Sequence, residues 1–282
     1  MLDAPRPTRR ERVIALHCSG ASADQWCALA EQLAGQYQVE APEHYGYGST
    51  GMWPGEHAFT LRDEARRTIT LIDSSAAKVH LVGHSYGGGV ALHAALARPD
   101  RIASMVLYEP TAFHLLRQMG GRGALAYAEI AGVAERVCHG VVTGDYQGAL
   151  AAFVDYWNGP GAWDAMRPAA QNVLLQWVPK GPLEFQAVME DVTPACAYGA
   201  LNFPVLILRG EHAPISTHLI AEALEELLPI TQLMIVDGAG HMGPLTHTAR
   251  VSALIIRHIL HAEYRCAATT TFACADNLAL PA

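Results

Sequence analysis

The sequence lacks the features that direct a chain into a membrane or out of the cell. No window approaches the roughly 18 consecutive apolar residues that a membrane-spanning helix needs. Residues 1–11 also lack an apolar stretch followed by a small-residue cleavage site, which is the pattern of a secretory signal. We therefore expect a soluble, cytoplasmic protein with no membrane partner.

Paired cysteines and clustered basic residues are missing as well. The six cysteines form no C-x-x-C motif, so in a reducing compartment we expect free thiols. The fourteen histidines include no H-E-x-x-H motif, and we expect neither a metal site nor a cofactor. The net charge is −8, and pairs such as Arg9-Arg10 are too short to follow a phosphate backbone, which argues against a nucleic-acid partner.

The sequence does contain short apolar runs that alternate with stretches of helical periodicity. Six runs have strand length, at residues 12–17, 37–41, 78–83, 101–108, 204–209 and 232–237. Helices are predicted between or after them at about 25–35, 61–74, 86–97, 217–228 and 246–264. This alternation is typical of an α/β fold, and we predict about six parallel strands flanked by helices.

The alternation stops between residues 111 and 202. This stretch predicts helices at 124–137, 147–157 and 183–190 but no convincing strand, and strands resume directly afterwards. We therefore predict a core domain formed by residues 1–110 and 203–264, with residues 111–202 as a helical lid between the fourth and fifth strands. Residues 265–282 show little periodicity and are expected to form a mobile tail.

One segment carries a recognisable catalytic pattern. The predicted strand 78–83 runs into Gly83-His84-Ser85-Tyr86-Gly87, and a predicted helix begins at once. This G-x-S-x-G pattern is a nucleophile elbow, in which a tight turn leaves no room for side chains two positions from the serine. The start of the helix offers unpaired N–H groups to a developing oxyanion. We predict that Ser85 is a nucleophile.

A histidine in a suitable position follows the last predicted strand. His241 lies in the loop Gly238-Ala-Gly-His-Met-Gly243, at what would be the carboxyl end of that strand. A general base has to reach the nucleophile, and the carboxyl ends of parallel strands lie at one edge of the sheet. We predict that His241 is the general base for Ser85.

With these motifs, the chain resembles members of the α/β-hydrolase superfamily over nearly its whole length. The chain order of nucleophile, acid and base also matches that family. Leu16-His17 and the following Ser19 resemble the family's His-Gly loop, with Cys18 where the family usually has Gly. The resemblance implies that the N–H groups of Ser19 and Tyr86 form the oxyanion hole.

The acid of the implied triad departs from the family's usual pattern. Relatives commonly place an Asp a few residues after the fifth of these strands, where this chain has Ala213. Haloalkane-dehalogenase relatives instead carry a Glu directly after the preceding strand, and Glu109 fits that variation. Glu109 is therefore favoured as the acid, with Glu211 as its competitor and Asp237 as a weaker one.

A second departure concerns the start of the chain. Most relatives begin with an antiparallel pair of strands, and few residues precede residue 12 here. We expect that hairpin to be missing.

These residues and the resemblance predict a serine hydrolase that cleaves a small carboxylic ester through Ser85, His241 and Glu109, with an acyl-enzyme intermediate. The same triad also serves C–C bond hydrolysis, acyl transfer and perhydrolysis, and some relatives are non-catalytic small-molecule receptors. The expected partner is a small-molecule substrate, and the sequence leaves a homodimer open.

Aromatic residues of the insertion have two possible roles. They either line an apolar substrate pocket or simply pack the helices together, and the sequence favours neither role. The residues concerned are Phe113, Tyr156, Trp157, Trp163 and Trp177.

Overall fold

A computed structural model describes residues 11–55 and 57–275 of the chain. Its centre is one six-stranded sheet in the order β2-β1-β3-β4-β5-β6, and every neighbouring pair is parallel. The strands are β1 Glu11–Leu16, β2 Tyr37–Glu40, β3 Val79–His84, β4 Ile102–Tyr108, β5 Val205–Gly210 and β6 Thr231–Val236. The predicted α/β fold with six parallel strands is confirmed.

Twelve α-helices lie in the described parts of the chain. Those that follow or precede core strands are α1 Cys27–Leu33, α2 Leu61–Ser74, α3 Tyr86–Ala97, α10 Ile215–Leu227, α11 Gly243–Thr246 and α12 Thr248–Ala275. Between β4 and β5 lie α4 Phe113–Gln118, α5 Gly121–Thr143, α6 Tyr146–Asn158, α7 Ala162–Ala165, α8 Pro168–Leu175 and α9 Gly181–Met189. Short 3₁₀ turns occupy Ala23–Trp26, Pro99–Arg101 and Ala195–Ala200.

The inner strands of the sheet are covered on both faces, which explains why β3, β4 and β5 read as nearly continuous apolar runs. Along β1, Val13 and Ala15 pack on one face with residues of α1 and α12. Ile14 and Leu16 pack on the other face with residues of α2, α3 and α10. All six residues of β3 are buried, because this strand lies in the interior of the sheet and is covered on both sides.

The strand order also determines where a site can form. The chain passes from β1 outward to β2 and then returns to the other side of β1 as β3. At such a reversal the connections leave β1 and β3 in opposite directions, which opens a crevice at the carboxyl ends of those strands. Ser85 follows β3 directly, so it lies at this crevice.

The stretch from 111 to 202, all of which the structure describes, contains helices and turns but no strand. The three helices predicted there are present as α5, α6 and α9, and α5 is longer than predicted. The short helices α4, α7 and α8 were not predicted. That this segment acts as a lid remains a prediction.

The end of the chain differs from the expectation. Helix α12 continues to Ala275 instead of ending near residue 264, so residues 265–275 belong to a helix and not to an irregular tail. These residues contain neither glycine nor proline, and the helix therefore meets no residue that would end it. The rest of the predicted tail, residues 276–282, lies outside the described residues. Residues 1–10 lie outside them too, so the expected absence of the antiparallel hairpin concerns a part of the chain that the structure does not describe.

Two further expectations concern cysteines and membranes. Cys18, Cys27, Cys138 and Cys196 are free thiols. None of the helices in the described ranges combines the length and apolar character that crossing a bilayer requires.

Candidate active site

Ser85 lies at the sharp turn between β3 and α3. Its backbone has φ 54° and ψ −116°, a positive φ that non-glycine residues rarely adopt. The glycines on either side make this turn possible. A Cβ on Gly83 would lie 2.7 Å from the carbonyl oxygen of Gly87, and a Cβ on Gly87 would lie 2.4 Å from that of Leu16. The turn therefore holds the Ser85 side chain at the rim of the sheet.

Three buried side chains form a hydrogen-bonded row at this rim. Ser85 Oγ lies 2.9 Å from His241 Nε2, and His241 Nδ1 lies 2.6 Å from Glu109 Oε2. The other carboxylate oxygen, Oε1, accepts the backbone N–H of Gly210 at 2.6 Å. A carboxylate at Nδ1 keeps the proton on that nitrogen, so Nε2 is free to accept the serine proton.

Glu109 reaches the histidine because of its position in the sheet. Tyr108 pairs with His84, so Glu109 and Ser85 leave adjacent strands at the same level. Both residues have a positive φ, which is 45° at Glu109. The chain thus turns sharply at the end of two neighbouring strands, and both side chains meet the loop that carries His241.

The two competing carboxylates point elsewhere. Glu211 Oε2 accepts the backbone N–H of Gly238, in the turn after β6, at 2.8 Å, and its side chain is 53% exposed. Asp237 pairs with Arg250 at 2.7 Å on the surface. Of the three acids that the sequence offered, Glu109 is the one in contact with His241.

A second histidine, His84, supports the first. Its Nε2 lies 2.9 Å from the backbone oxygen of His241, and its Nδ1 lies 3.1 Å from the Gln25 amide nitrogen. Burial, followed by the nearby His241 ring, lowers the pKa of His84 well below its ordinary value. A neutral His84 that donates through Nε2 and accepts at Nδ1 satisfies both contacts. The ring therefore fixes the backbone that presents His241.

The loop after β1 presents one backbone N–H to the site. The N–H of Cys18 donates to the side-chain oxygen of Gln25 at 3.1 Å, and the N–H of Gly20 donates to the Tyr47 hydroxyl at 2.9 Å. Between them, the N–H of Ser19 has no hydrogen-bond partner among the described residues. The N–H of Tyr86, the first of α3, has none there either. These are the two groups that the family resemblance implied as oxyanion donors.

A buried carboxyl group anchors this loop. The Tyr47 hydroxyl, which accepts the Gly20 N–H, itself donates to Glu184 Oε1 at 2.7 Å. The Trp177 indole N–H donates to the other oxygen, Oε2, at 2.8 Å. Burial raises the pKa of Glu184, against the effects of nearby Lys180 and of these donors. Helix α9 thus holds the loop after β1 through two hydrogen bonds in series.

An ion pair joins the same helical segment to the elbow. Lys180 Nζ lies 2.7 Å from Glu64 Oε2, and both side chains are almost fully buried. The same oxygen accepts the Tyr86 hydroxyl at 2.8 Å, and Oε1 accepts the N–H of Tyr45 at 2.8 Å. Lys180 Nζ also lies 4.1 Å above the Phe59 ring. These contacts hold Tyr86, the residue that follows Ser85, and no pattern in the sequence predicted them.

Two cavities meet at Ser85. The outer one has a volume of about 480 Å³ and is lined by Ser19, Ser85 and His241 together with apolar residues of α6, α8 and α11. The inner one has a volume of only about 20 Å³. Its lining consists of Ser19, Ser85, Tyr86, Thr111, Phe113, Phe153, Trp157, Trp177, Glu184, Phe185 and Val188.

The aromatic residues of the insertion divide between two roles. Phe113, Trp157 and Trp177 line the cavities, and the Trp157 ring stacks on His241 with centroids 4.0 Å apart. Trp163 is buried but lines neither cavity, and the Tyr156 hydroxyl is 2.8 Å from Ser216 Oγ. Some of the aromatic residues of the insertion therefore line the cavities, and the others pack between helices.

Three side chains that could hold a metal ion lie at the other end of the strands from Ser85. Glu11, His80 and Glu263 bring one ligand atom each within 4.8 Å of one another. The Tyr37 hydroxyl donates to Glu263 at 2.6 Å, and His80 Nδ1 lies 2.8 Å from Ser104 Oγ. This group is at the amino ends of β1 and β3 and takes no part in the row of Ser85, His241 and Glu109.

Comparison with known proteins identifies a family over most of the chain. A family model described as the alpha/beta hydrolase fold matches residues 11–248. A pimeloyl-[acyl-carrier protein] methyl ester esterase of Aeromonas hydrophila is 23% identical over 257 residues, covering 86% of this chain and 93% of that protein. Lipase LipV of Mycobacterium tuberculosis is 33% identical over 105 residues, but that match covers 37% of this chain and only 39% of LipV.

Solved structures share the fold. A putative lipase from Acinetobacter baumannii has a TM-score of 0.71 at 19% identity, covering 92% of this chain and 86% of that one. An enol-lactonase from Burkholderia xenovorans has a TM-score of 0.67 at 14% identity, covering 92% and 94%.

Proposed function

Because the chain belongs to the α/β-hydrolase family, we propose that it is a serine esterase that cleaves a small carboxylic ester through Ser85, His241 and Glu109. The observation that carries the proposal is the continuous row of hydrogen bonds from the Ser85 hydroxyl through the imidazole to the Glu109 carboxylate. The esterase and lipase names of the similar proteins support the same class of reaction.

The first step is the activation of Ser85. His241 Nε2 takes the hydroxyl proton as Oγ attacks the ester carbonyl carbon. The imidazolium that forms carries a positive charge in a buried site. Glu109, which is fully buried and 2.6 Å from Nδ1, stabilises that charge and holds the ring in orientation.

The second requirement is stabilisation of the oxyanion. The N–H groups of Ser19 and Tyr86, which have no partner among the described residues, are the donors in this proposal. The hydrogen bonds that occupy Cys18 and Gly20 hold the backbone on both sides of Ser19. A fixed donor needs no rearrangement when charge develops, which is how such sites lower the barrier.

Collapse of the tetrahedral intermediate completes acylation. His241 returns its proton through Nε2 to the leaving alcohol oxygen, and the acyl group stays on Ser85 Oγ. A water molecule then takes the place of the alcohol. His241 removes a proton from it, the water oxygen attacks the acyl carbonyl, and Ser85 recovers its proton as the carboxylic acid leaves.

The test compares the parent with Ser85→Ala and His241→Ala in the hydrolysis of p-nitrophenyl acetate. Each variant should lose about 10⁶-fold in kcat, because the nucleophile and its base act as one unit. Thr143→Ala, at an exposed site on α5 that is in the lining of neither cavity, is the matched surface control and should retain full activity. Full activity in a folded Ser85→Ala protein would refute the proposal.

A further inference from the structure

The two cavities at Ser85 differ in the residues that line them. Ser19, Ser85, Phe153 and Trp157 line both of them, so the cavities adjoin at these residues. His241 lines the outer cavity and is not part of the lining of the inner one. In the proposed reaction, an ester bound at Ser85 therefore places its acyl chain in one cavity and its alcohol in the other.

The position of His241 determines which cavity holds the alcohol and which holds the acyl chain. In the proposed reaction the leaving alcohol oxygen receives its proton from His241 Nε2, so that oxygen has to be within hydrogen-bonding reach of the imidazole. The alcohol then extends into the outer cavity, which the histidine lines. The acyl chain is directed away from His241, past the Tyr86 backbone, into the inner cavity.

The inner cavity is small. Its volume of about 20 Å³ is close to the space that one water molecule needs. Phe185 and Val188 form part of its wall, and both are at most 5% exposed. Its lining includes one carboxyl group, Glu184, which already accepts hydrogen bonds on both oxygens, and none of the residues that line it is basic, so nothing there would stabilise an anionic acyl group. Such a cavity accepts an uncharged acyl group of about two carbons.

The outer cavity is much larger than the inner one. Its volume of about 480 Å³ falls in the range of ligand-binding pockets. Met166, Val173, Leu174 and Leu245 make its wall predominantly apolar. A bulky apolar alcohol would bury its surface there.

We propose that the substrate is a short-acyl ester of a bulky apolar alcohol, with acyl-chain length limited by Phe185 and Val188. This inference rests on the proposed esterase function. It goes further by assigning each half of the ester to one cavity.

Two series of esters test the assignment. In the acyl series, p-nitrophenyl acetate, butyrate and octanoate share one alcohol, and kcat/KM should fall about tenfold to a hundredfold from acetate to butyrate because the inner wall is overpacked. In the alcohol series, ethyl, butyl and octyl acetate share one acyl group. There kcat/KM should rise by up to about fourfold for each added methylene that is buried.

Variants of the wall make the test specific to the inner cavity. Val188→Ala should raise the ratio of butyrate to acetate activity about tenfold or more, and Phe185→Leu provides a second enlargement if the first unfolds. Val142→Ala removes the same two methyl groups at an 86% exposed site on α5 and should leave the ratio unchanged. The melting temperature of each variant is measured alongside.

The possible outcomes distinguish the cavity assignment from the esterase proposal on which it rests. If turnover depends on Ser85 but favours long acyl chains, or if neither folded variant changes the acyl preference, the assignment of the cavities is wrong and the esterase proposal stands. If no ester of either series is hydrolysed faster than by Ser85→Ala, both proposals fail.

Discussion

The substitution Glu109→Gln changes one atom at the centre of the proposed mechanism. In the parent, Oε1 accepts the Gly210 N–H and Oε2 accepts from His241 Nδ1, both at 2.6 Å. Glutamine has one acceptor oxygen, and the buried Gly210 N–H needs it. The amide NH₂ must then face Nδ1, where it donates a hydrogen bond and forces the ring proton onto Nε2. In that tautomer His241 cannot accept the proton of Ser85.

The expected cost follows from this tautomer change. A triad whose acid is replaced by its amide loses about 10⁴-fold in kcat, or about 5 kcal/mol of transition-state stabilisation. The assay is the initial rate of p-nitrophenyl acetate hydrolysis at pH 7 to 8. KM should change much less than kcat, because the substituted atom contacts the base and not the bound ester.

Glu211→Gln is the matched control for this prediction. It is the same chemical change on an acid that is half exposed and does not contact His241. A glutamine oxygen can still accept the Gly238 N–H, so the activity should stay within about twofold of the parent. Circular dichroism and melting temperature establish that both variants are folded. If Glu211→Gln loses activity while Glu109→Gln keeps it within tenfold of the parent, the reasoning about the acid is refuted.

Three further perturbations probe the loop after β1, the elbow and the acid stability of the fold. Tyr47→Phe removes the acceptor of the Gly20 N–H, and kcat/KM should fall about tenfold to a hundredfold as the unpaired loop moves; activity equal to that of the parent would show that the anchor has no effect. Gly87→Ala places a Cβ 2.4 Å from a backbone oxygen and should prevent a stable fold, whereas Gly35→Ala, with nothing within 4 Å, should melt like the parent. Burial raises the pKa of Asp191, but the close contact with buried His114 and the hydrogen bond from buried His93 outweigh it and hold that pKa well below the ordinary 3.8. Because a depressed pKa stabilises the fold above the ordinary value and less as pH falls through the folded value, urea unfolding should show Asp191→Asn losing most stability at pH 5 to 7. The difference from the parent should shrink below about pH 4, and a difference that is constant down to pH 2 would contradict the assignment.

The sheet could be predicted because its signal is local. The inner strands are buried on both faces and form nearly continuous apolar runs, and the half-exposed outer strands β2 and β6 are still short runs rich in β-forming residues. All six strands were predicted with small errors at their ends. The short helices of the inserted segment, such as α7, span too few residues to show a period. The end of α12 was missed for the opposite reason, since loss of amphipathic periodicity does not end a helix that contains no breaker.

The three residues of the row could be predicted from their positions relative to the strands. The residues that hold them in place could not. Ser85, His241 and Glu109 each follow the end of a strand, and the parallel sheet brings such positions to one edge. His84, Glu184 and Lys180 act through partners that are far away in sequence. Lys180 lies next to a Gly-Pro pair that reads only as a break between helices, and a charged residue there is ordinarily solvated. Pairing of this kind depends on tertiary structure alone.

The most direct test of the central claim is covalent labelling of Ser85. The folded parent protein is incubated with a fluorophosphonate, and its intact mass and peptide map are measured. One adduct per chain, located on Ser85, absent from Ser85→Ala and formed far more slowly by His241→Ala, is the predicted result. A folded protein that acquires no adduct, or an adduct on another residue at the same rate in Ser85→Ala, would contradict the account.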